Sequence, residues 1–549
     1  MKNLNYNIKH SFTLLVAILS LAQGCKKALE KSPLDKFDSA NFWTSESNTQ
    51  LALTGVYRGN IKINGTEVLA SDWWSYAGLL FTEFSTDNAY DRRGDNSSYN
   101  KLSNGTLTAN LDVFKSYWSS SYAKVARANY FLENVDKAPI DPTRKKRYIA
   151  EVRFIRACQY FYTAQYWGAA PLVTKTLTAQ EANTVTKASK AEIVKFVIDE
   201  LKAAIADLPR HKDIPKAELG RASRQAALAF LGRLYLAEQK YSDAAAAYKE
   251  IIDYGDNIID PDYAGLFQTS NENSNEIIFS TQFIENLSAN AMNQHFFPAV
   301  AAGWHIFCPL GSIVETYEFK DGTPFSYTDP RYNAADIGKD RDPRLKYSVL
   351  YNLNTFKNLK YVTHPDSATS PDQLGAGKQT TQTGYGLKKF CDESFSGSLT
   401  NYGGNLPIIR YAEVLLSYLE AKLEAGDPID QILLDATINK VRSRATVNLP
   451  PVTVTNTTDL RTKLRRERRV ELAFEGIRYW DLIRWKIGNT VLNGDFYGAP
   501  FPGAVKTRKK GNITDPYSRW YVTSKAFRVT DHVWPIPQSE VNINPGLAN

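Results

Sequence analysis

Two stretches of this chain combine the residue types that could hold a polar ring-shaped ligand. The first is Ser71-Asp-Trp-Trp-Ser-Tyr76, followed by Glu83, Thr86-Asp-Asn-Ala-Tyr-Asp-Arg-Arg93 and Tyr99. A pyranose has apolar C–H faces and a rim of hydroxyls, so flat aromatics cover the faces while Asp, Asn and Arg bond the rim. On that logic Trp73, Trp74, Asp87, Asn88, Tyr90 and Arg92 are candidate ligand-binding residues. The second stretch clusters Phe296, Phe297, Trp304, His305 and Phe307, and from it Trp304, His305 and Phe307 join the set, with Trp304 the best single platform. A competing reading has Trp73 and Trp74 plug the N-terminal region into the core. Asp87, Asp91 and Asp95 offer an alternative use as calcium ligands, but Gly94 is out of register for an EF-hand loop.

Other chemistry is sought without success. Gly375-Ala-Gly-Lys-Gln-Thr380 lacks the first Gly and the Ser/Thr of a phosphate loop, so it reads as a turn. The six histidines have neither HExxH nor Cys/His zinc spacing, and there is no G-x-S-x-G elbow. No catalytic residue, cofactor or metal is assigned. A glycosidase needs only two carboxylates from anywhere in the chain, so a surface hydrolase stays among the alternatives.

The elements that must position these residues begin after residue 24. Lys2 and Lys9 precede Phe12, Leu14, Leu15, Val16, Ile18, Leu19 and Leu21, and then Ala22-Gln-Gly-Cys25. An apolar core of roughly 7–15 residues behind a basic start reads as a signal peptide, since a spanning helix needs about 20. Small residues before Cys25 fit a lipoprotein cleavage site, making Cys25 the acylated N-terminus and Lys26–Ser32 a tether; an ordinary secretory cut near Gly24 is the alternative. Cleavage lowers the formal net charge from +8 to +6, a thin excess that gives no nucleic-acid footprint. Cys158, Cys308 and Cys391 read as buried thiols with at most one bridge.

Helical periodicity is expected over Thr49–Tyr57 and from Phe114 to about Tyr254, with long structured loops across 58–110. Val194, Val197, Ile198, Leu201, Ile205 and Leu208 form one stripe, ended by Pro209. Leu228, Leu231-Gly232-x-x-Tyr235 and Ala244-x-x-x-Tyr248 follow tetratricopeptide spacing, in which small residues let two helices approach. Because one pair cannot cover its own apolar face, a stack of pairs is expected. Residues 261–405 break the rhythm, with a strand-like run at 276–282. Helices are expected again at 406–425, 428–444 and 459–487, before an irregular, Pro-rich end.

Several segments together resemble the SusD/RagB family of outer-membrane nutrient-binding lipoproteins. The strongest is Glu467-Arg-Arg-Val-Glu-Leu-Ala-Phe-Glu-Gly-Ile-Arg-Tyr-Trp-Asp-Leu-Ile-Arg-Trp485, with Pro535-Ile-Pro-Gln-Ser-Glu540 and Asn544-Pro545 behind it. Tyr411-Ala-Glu-Val-Leu-Leu416, Glu420-Ala421 and Val441-Arg-Ser-Arg-Ala445 precede it, and Phe42-Trp43, Leu53–Tyr57, Glu151–Ala157 and Gly168–Pro171 fit upstream. Glu467, Glu471 and Glu475 stand at i, i+4 spacing among arginines and are read as flanking ion pairs around an apolar face of Val470, Ala473, Phe474, Ile477 and Trp480, not as catalytic carboxylates.

The resemblance implies a mainly α fold of tetratricopeptide-like stacked helix pairs, with a large irregular loop-rich ligand-binding region and few short strands. It divides the chain into a signal peptide (1–24), an N-terminal half (25–260) and a C-terminal half (261–549) with a variable region at 261–405. It also implies ligand residues in the Asp87–Arg92 loop. The implied function is non-enzymatic capture of oligosaccharides at the cell surface, tethered to the outer membrane, beside a SusC-like TonB-dependent transporter. A peptide ligand on the same scaffold, and a pure protein-docking scaffold, are the other readings.

Overall fold

The computed structural model describes residues 42–58, 72–377 and 379–548. Cys25, the signal segment and the tether lie outside these residues. Among the described residues no helix is long and apolar enough to cross a membrane.

The expected stack is present. Helices Asp112–Asn134, Pro142–Tyr166, Lys190–Asp207, Arg224–Ala237 and Tyr241–Tyr254 each pack on the next, and Glu46–Tyr57 leans on the first two. Their starts are written locally. Ser45 and Asp141 accept from the third residue onward, and Ser189 with Glu192 closes a reciprocal capping box. The tetratricopeptide spacing has the physical basis expected of it: a Cβ on Gly232 would lie 2.6 Å from the Tyr248 ring. Only a glycine lets these two helices close on each other.

Helix Tyr411–Glu424 then packs directly against Tyr241–Tyr254, and Thr457–Glu471 against Tyr411–Glu424. The stack therefore continues across the irregular segment 261–405, which is looped out from between two neighbours. Buried residues from Trp43 to Leu547 form one hydrophobic cluster. The change of rhythm near residue 260 thus falls inside a shared core. The three described cysteines are buried and unbridged.

Four expectations need correction. Leu406–Arg410 is a strand paired antiparallel with Ile277–Thr281, and the helix starts only at Tyr411. A short, wholly buried apolar run carries no periodicity to separate strand from helix. The helix expected over 428–444 is two, Gln431–Ala436 and Ile438–Arg442, broken at Thr437. The one expected over 459–487 is also two, Thr457–Glu471 and Arg478–Arg484. Between them Phe474 and Gly476 have positive φ, and a Cβ on Gly476 would meet the Leu79 carbonyl oxygen at 2.5 Å. Finally, the C-terminal part contains the longest strands, an antiparallel hairpin of Asn493–Pro500 with Arg519–Ala526. Its register shifts and the long loop 501–518 hide the alternation.

The acidic motif is also placed differently from expectation. Glu467, Glu471 and Glu475 are buried, and their partners are remote in sequence. Glu471 bonds Arg410 at 2.7 Å, Arg444 at 2.9 Å and Arg344 at 2.8 Å. Glu475 pairs with Arg410 and Lys389, while Glu467 pairs with Arg344 and Arg442. Burial alone would raise the Glu471 carboxyl, but the three guanidiniums hold it well below the usual carboxylate range. These charges do not flank a helix surface; they hold helix, strand and loop together from inside.

Candidate ligand-binding face

The two aromatic-rich stretches picked from sequence do meet. Ala89–Asp91 pairs antiparallel with Phe307–Pro309, setting Tyr90 opposite Cys308 and Asp91 opposite Phe307. The meeting buries most of the candidate side chains, however. Phe307 has no exposed surface and packs between Phe84 at 4.8 Å and Phe474 at 5.4 Å. His305 is buried against Tyr361 (3.1 Å) and Asp372 (3.4 Å). Tyr90 is buried and donates to Asp95 at 2.8 Å.

Asp87 and Asn88 are fully engaged. Asp87 accepts from Arg478 at 2.9 and 3.0 Å and pairs with Arg469 at 2.9 Å. Burial would raise its carboxyl; the two arginines instead hold it well below the ordinary range. Asn88 donates to Glu83 at 2.8 Å and accepts from Arg469 at 2.8 Å. Burial pushes the Glu83 carboxyl up to about 7, against the hydrogen bonds from Asn88 and the Arg478 and Gly476 amides. Lys525 closes the cluster from behind, donating to the Phe84 and Thr86 carbonyls, and burial brings its ammonium down to about 7.

Trp73 and Trp74 are core residues. Trp73 stacks on Tyr117 (4.0 Å), Tyr162 (4.5 Å) and Tyr166 (5.0 Å), and its indole N–H donates to Ser121 at 2.9 Å. Trp74 lies against Phe279, with the Lys124 ammonium 4.7 Å from its ring. The reading that they plug the N-terminal region into the helices is the one the geometry favours. Calcium ligation fails on the same ground. Asp87 is held by arginines, Asp91 by Arg93 and Ser97, and Asp95 by the Tyr90 and Thr523 hydroxyls. Among the described residues no group of three His, Cys, Asp or Glu is placed for a metal.

Trp304 and Arg92 remain at the surface. Trp304 is 41% exposed, the one exposed tryptophan among the described residues. Its backbone is pinned by an N–H donated to the Gln294 carbonyl at 2.6 Å, and its ring stands edge-on to His295 at 5.0 Å. His295 in turn is fixed by Tyr76 at 3.0 Å. Half-buried Arg92 has no ion-pair partner among the described residues, and its charge helps to lower the His295 imidazole, after burial.

A cleft of about 380 Å³ is walled by Phe81, Arg93, Asn96, Ser97, Ser98 and Tyr99, without Trp304, His295 or Arg92 in its lining. Phe81 joins it to the platform: its ring lies 6.0 Å from His295 and 5.7 Å from the Arg93 guanidinium. Sequence reading passed over His295, Arg93 and Asn96. For Arg93 a signal was present, since Arg92 and Arg93 follow a strand in which successive side chains take opposite faces.

The arrangement is an exposed flat ring beside a polar, open cleft, carried on loops at the edge of a helical stack. Two family profiles match the chain, and each contains part of this arrangement. One, described as "SusD family", covers residues 275–549; the other, described as "Starch-binding associating with outer membrane", covers 44–236. The chain belongs to the SusD family.

A SusD-like carbohydrate-binding protein from Bacteroides fragilis is 47% identical, with TM-score 0.89 over 92% of this chain and 99% of its own. The starch-binding protein SusD of Bacteroides thetaiotaomicron is 23% identical over 97% of each chain. Surface glycan-binding protein A of the same species, solved with laminarihexaose, shares the fold at TM-score 0.67 and 19% identity, over 92% of this chain and 99% of its own. Within this chain, the motif that carries the family resemblance most strongly, 467–485, forms the buried charge hub and not the exposed face.

Proposed function

We propose that this SusD-family chain is a non-enzymatic receptor for oligosaccharides at the outer surface of the outer membrane. Acyl chains on Cys25 would anchor it, and it would pass its ligand to a SusC-like TonB-dependent transporter. The observation that carries the reading is Trp304, an exposed ring edge-on to His295, which Phe81 links to a cleft lined by hydroxyl, amide and guanidinium groups. Apolar sugar faces stack on such a ring while the cleft groups bond the rim.

The non-catalytic part of the reading is supported by the cleft's lining. Asp112 is the one carboxylate in it, whereas glycoside hydrolysis needs two facing groups. The related carbohydrate-binding protein supports the sugar class, and the profile description supports the outer membrane.

Titration of the purified mature protein against a glycan library should find a ligand that is bound and recovered unchanged. Trp304→Ala should weaken that binding at least tenfold, and an undiminished affinity removes the platform from the site. Cys25→Ala should release the protein from membranes with binding intact. Turnover of a bound glycan would overturn the non-enzymatic reading, and failure to co-purify with any barrel protein would count against the transporter.

A further inference from the structure

The loop 501–518, which joins the two strands of the C-terminal hairpin, carries four cations and one carboxylate, a net +3 in a chain whose whole excess is +8. Lys510 is paired with Asp495 at 2.5 Å. On the adjoining strand Arg519 is paired with the loop's Asp515 at 2.8 Å and with Glu315 at 3.0 Å. Lys506, Arg508 and Lys509 have no carboxylate within ion-pair distance among the described residues. All three line one cavity of about 150 Å³, together with Tyr497, Phe501, Trp520 and the mutually paired Asp515 and Arg519.

A solvated basic loop would need none of the order seen here. The Asp366 carboxylate accepts from the Val505 and Lys506 amides at 2.7 and 2.9 Å. The Arg508 carbonyl accepts from Tyr521 N–H at 3.0 Å, and Tyr517 stacks on Tyr327 at 4.5 Å. Three cations are thus carried on an ordered arch over aromatic walls, with Lys509 donating to the Thr514 hydroxyl at 3.0 Å, and their positive field favours an anion in the cavity. Exposed Val505 and Ile513 are single side chains and make no continuous apolar patch for a membrane.

We propose that this cavity is a second subsite, which reads the acidic group of a saccharide: a uronate carboxylate or a sulfate ester. Arg508 would bond two of its oxygens in a planar fork, Lys506 and Lys509 would supply compact charge, and the aromatic walls would accept the ring. The inference rests on the receptor reading above. The two sites lie on connected structure, because the Thr523 hydroxyl donates to Asp95 at 2.8 Å, next to Asn96 in the Trp304-side cleft. Arg519, which lines the basic cavity, is four residues from Thr523 on the same strand, about 13 Å along an extended chain.

The test is calorimetric titration of the mature protein with polygalacturonate, a sulfated galactan and neutral laminarin, in low and high salt. At least one acidic polymer should bind, at least tenfold more weakly once salt screens the cations. The variant Lys506→Gln/Arg508→Gln/Lys509→Gln should lose at least tenfold for that polymer. A control of equal charge loss on the helical stack, Lys146→Gln/Lys195→Gln/Lys202→Gln, should lose less than threefold. Which polymer binds distinguishes uronate from sulfate.

The subsite is overturned if neither acidic polymer binds, if both triple variants lose equally, or if anionic vesicles bind in place of the saccharides. Failure of the receptor reading looks different: Trp304→Ala would leave the affinity for every bound glycan unchanged, whatever the loop variant does.

Discussion

Trp73 and Trp304 are the same residue in two opposite settings. Trp73 is 1% exposed, stacked among Tyr117, Tyr162, Tyr166 and Trp534, with its N–H satisfied. Trp304 is held only at its backbone and by one edge contact, and leaves a ring face to solvent. The charged residues divide in the same way. Around Glu471 every guanidinium has a carboxylate, whereas Arg92 at the face and Lys506, Arg508 and Lys509 at the hairpin loop have none among the described residues. The hub pairs each of its charges in the interior, although single buried atoms such as Arg444 Nε and Arg468 Nη2 have no hydrogen-bond partner; those cations at the face and the loop have no carboxylate beside them among the described residues. That contrast separates residues that hold the scaffold from residues available to a ligand, where residue type alone does not.

The contrast can be broken at its strongest point first. Glu471→Ala leaves Arg344, Arg410 and Arg444 short of one carboxylate in the interior, and should cost about 3–5 kcal/mol in denaturant unfolding. Trp73→Ala should cost a similar 3–5 kcal/mol by emptying the aromatic stack, while the affinity of the remaining folded protein for its glycan stays unchanged. A loss of affinity without a loss of stability would return Trp73 to the ligand site.

Acid–base behaviour gives the next largest effect. The Glu83 carboxyl is raised from 4.5 to about 7 in the folded state, so the native protein binds the extra proton. Its contribution to stability is fully present below pH 4.5 and is lost as pH rises toward 7, by an amount on the order of 3 kcal/mol. Glu83→Gln, which keeps the protonated shape, should flatten that decline. An unchanged slope of unfolding free energy between pH 4.5 and 7 would show that Glu83 is ionised in the fold.

Gly232→Ala should cost about 1–3 kcal/mol, because its methyl runs into the Tyr248 ring and the helix pair must part. The smallest stability effect belongs to the face: Trp304→Ala should stay within about 0.5 kcal/mol of the parent protein. A larger loss would mean that Trp304 is structural, and the two settings would no longer be distinct.

Much of the helical stack was legible in the chain, because caps, stripes and the Gly232–Tyr248 spacing are local features with local causes. The strand at Leu406–Arg410 and the hairpin beyond Asn493 were not, since their pairing partners supply the evidence for them. For the site, sequence marked two separate stretches, one through residues 86–93 and one through residues 296–307, but the pairing of Ala89–Asp91 with Phe307–Pro309 and the way each side chain turns came from the structure. Trp304 is exposed, whereas Asp87, Asn88, Tyr90, His305, Phe307, Trp73 and Trp74 turned out to be interior.

By itself the sequence determined the family, the mainly helical class and the presence of an aromatic and polar loop region, because composition, periodicity and motif order are properties of the chain. Only the tertiary structure decided which charges and rings are spent on the fold. Burial and pairing depend on residues hundreds of positions away, 391 for Arg478 on Asp87 and 441 for Lys525 on the Phe84 carbonyl. A side chain that such partners surround, as they do Asp87, has little left to offer a ligand.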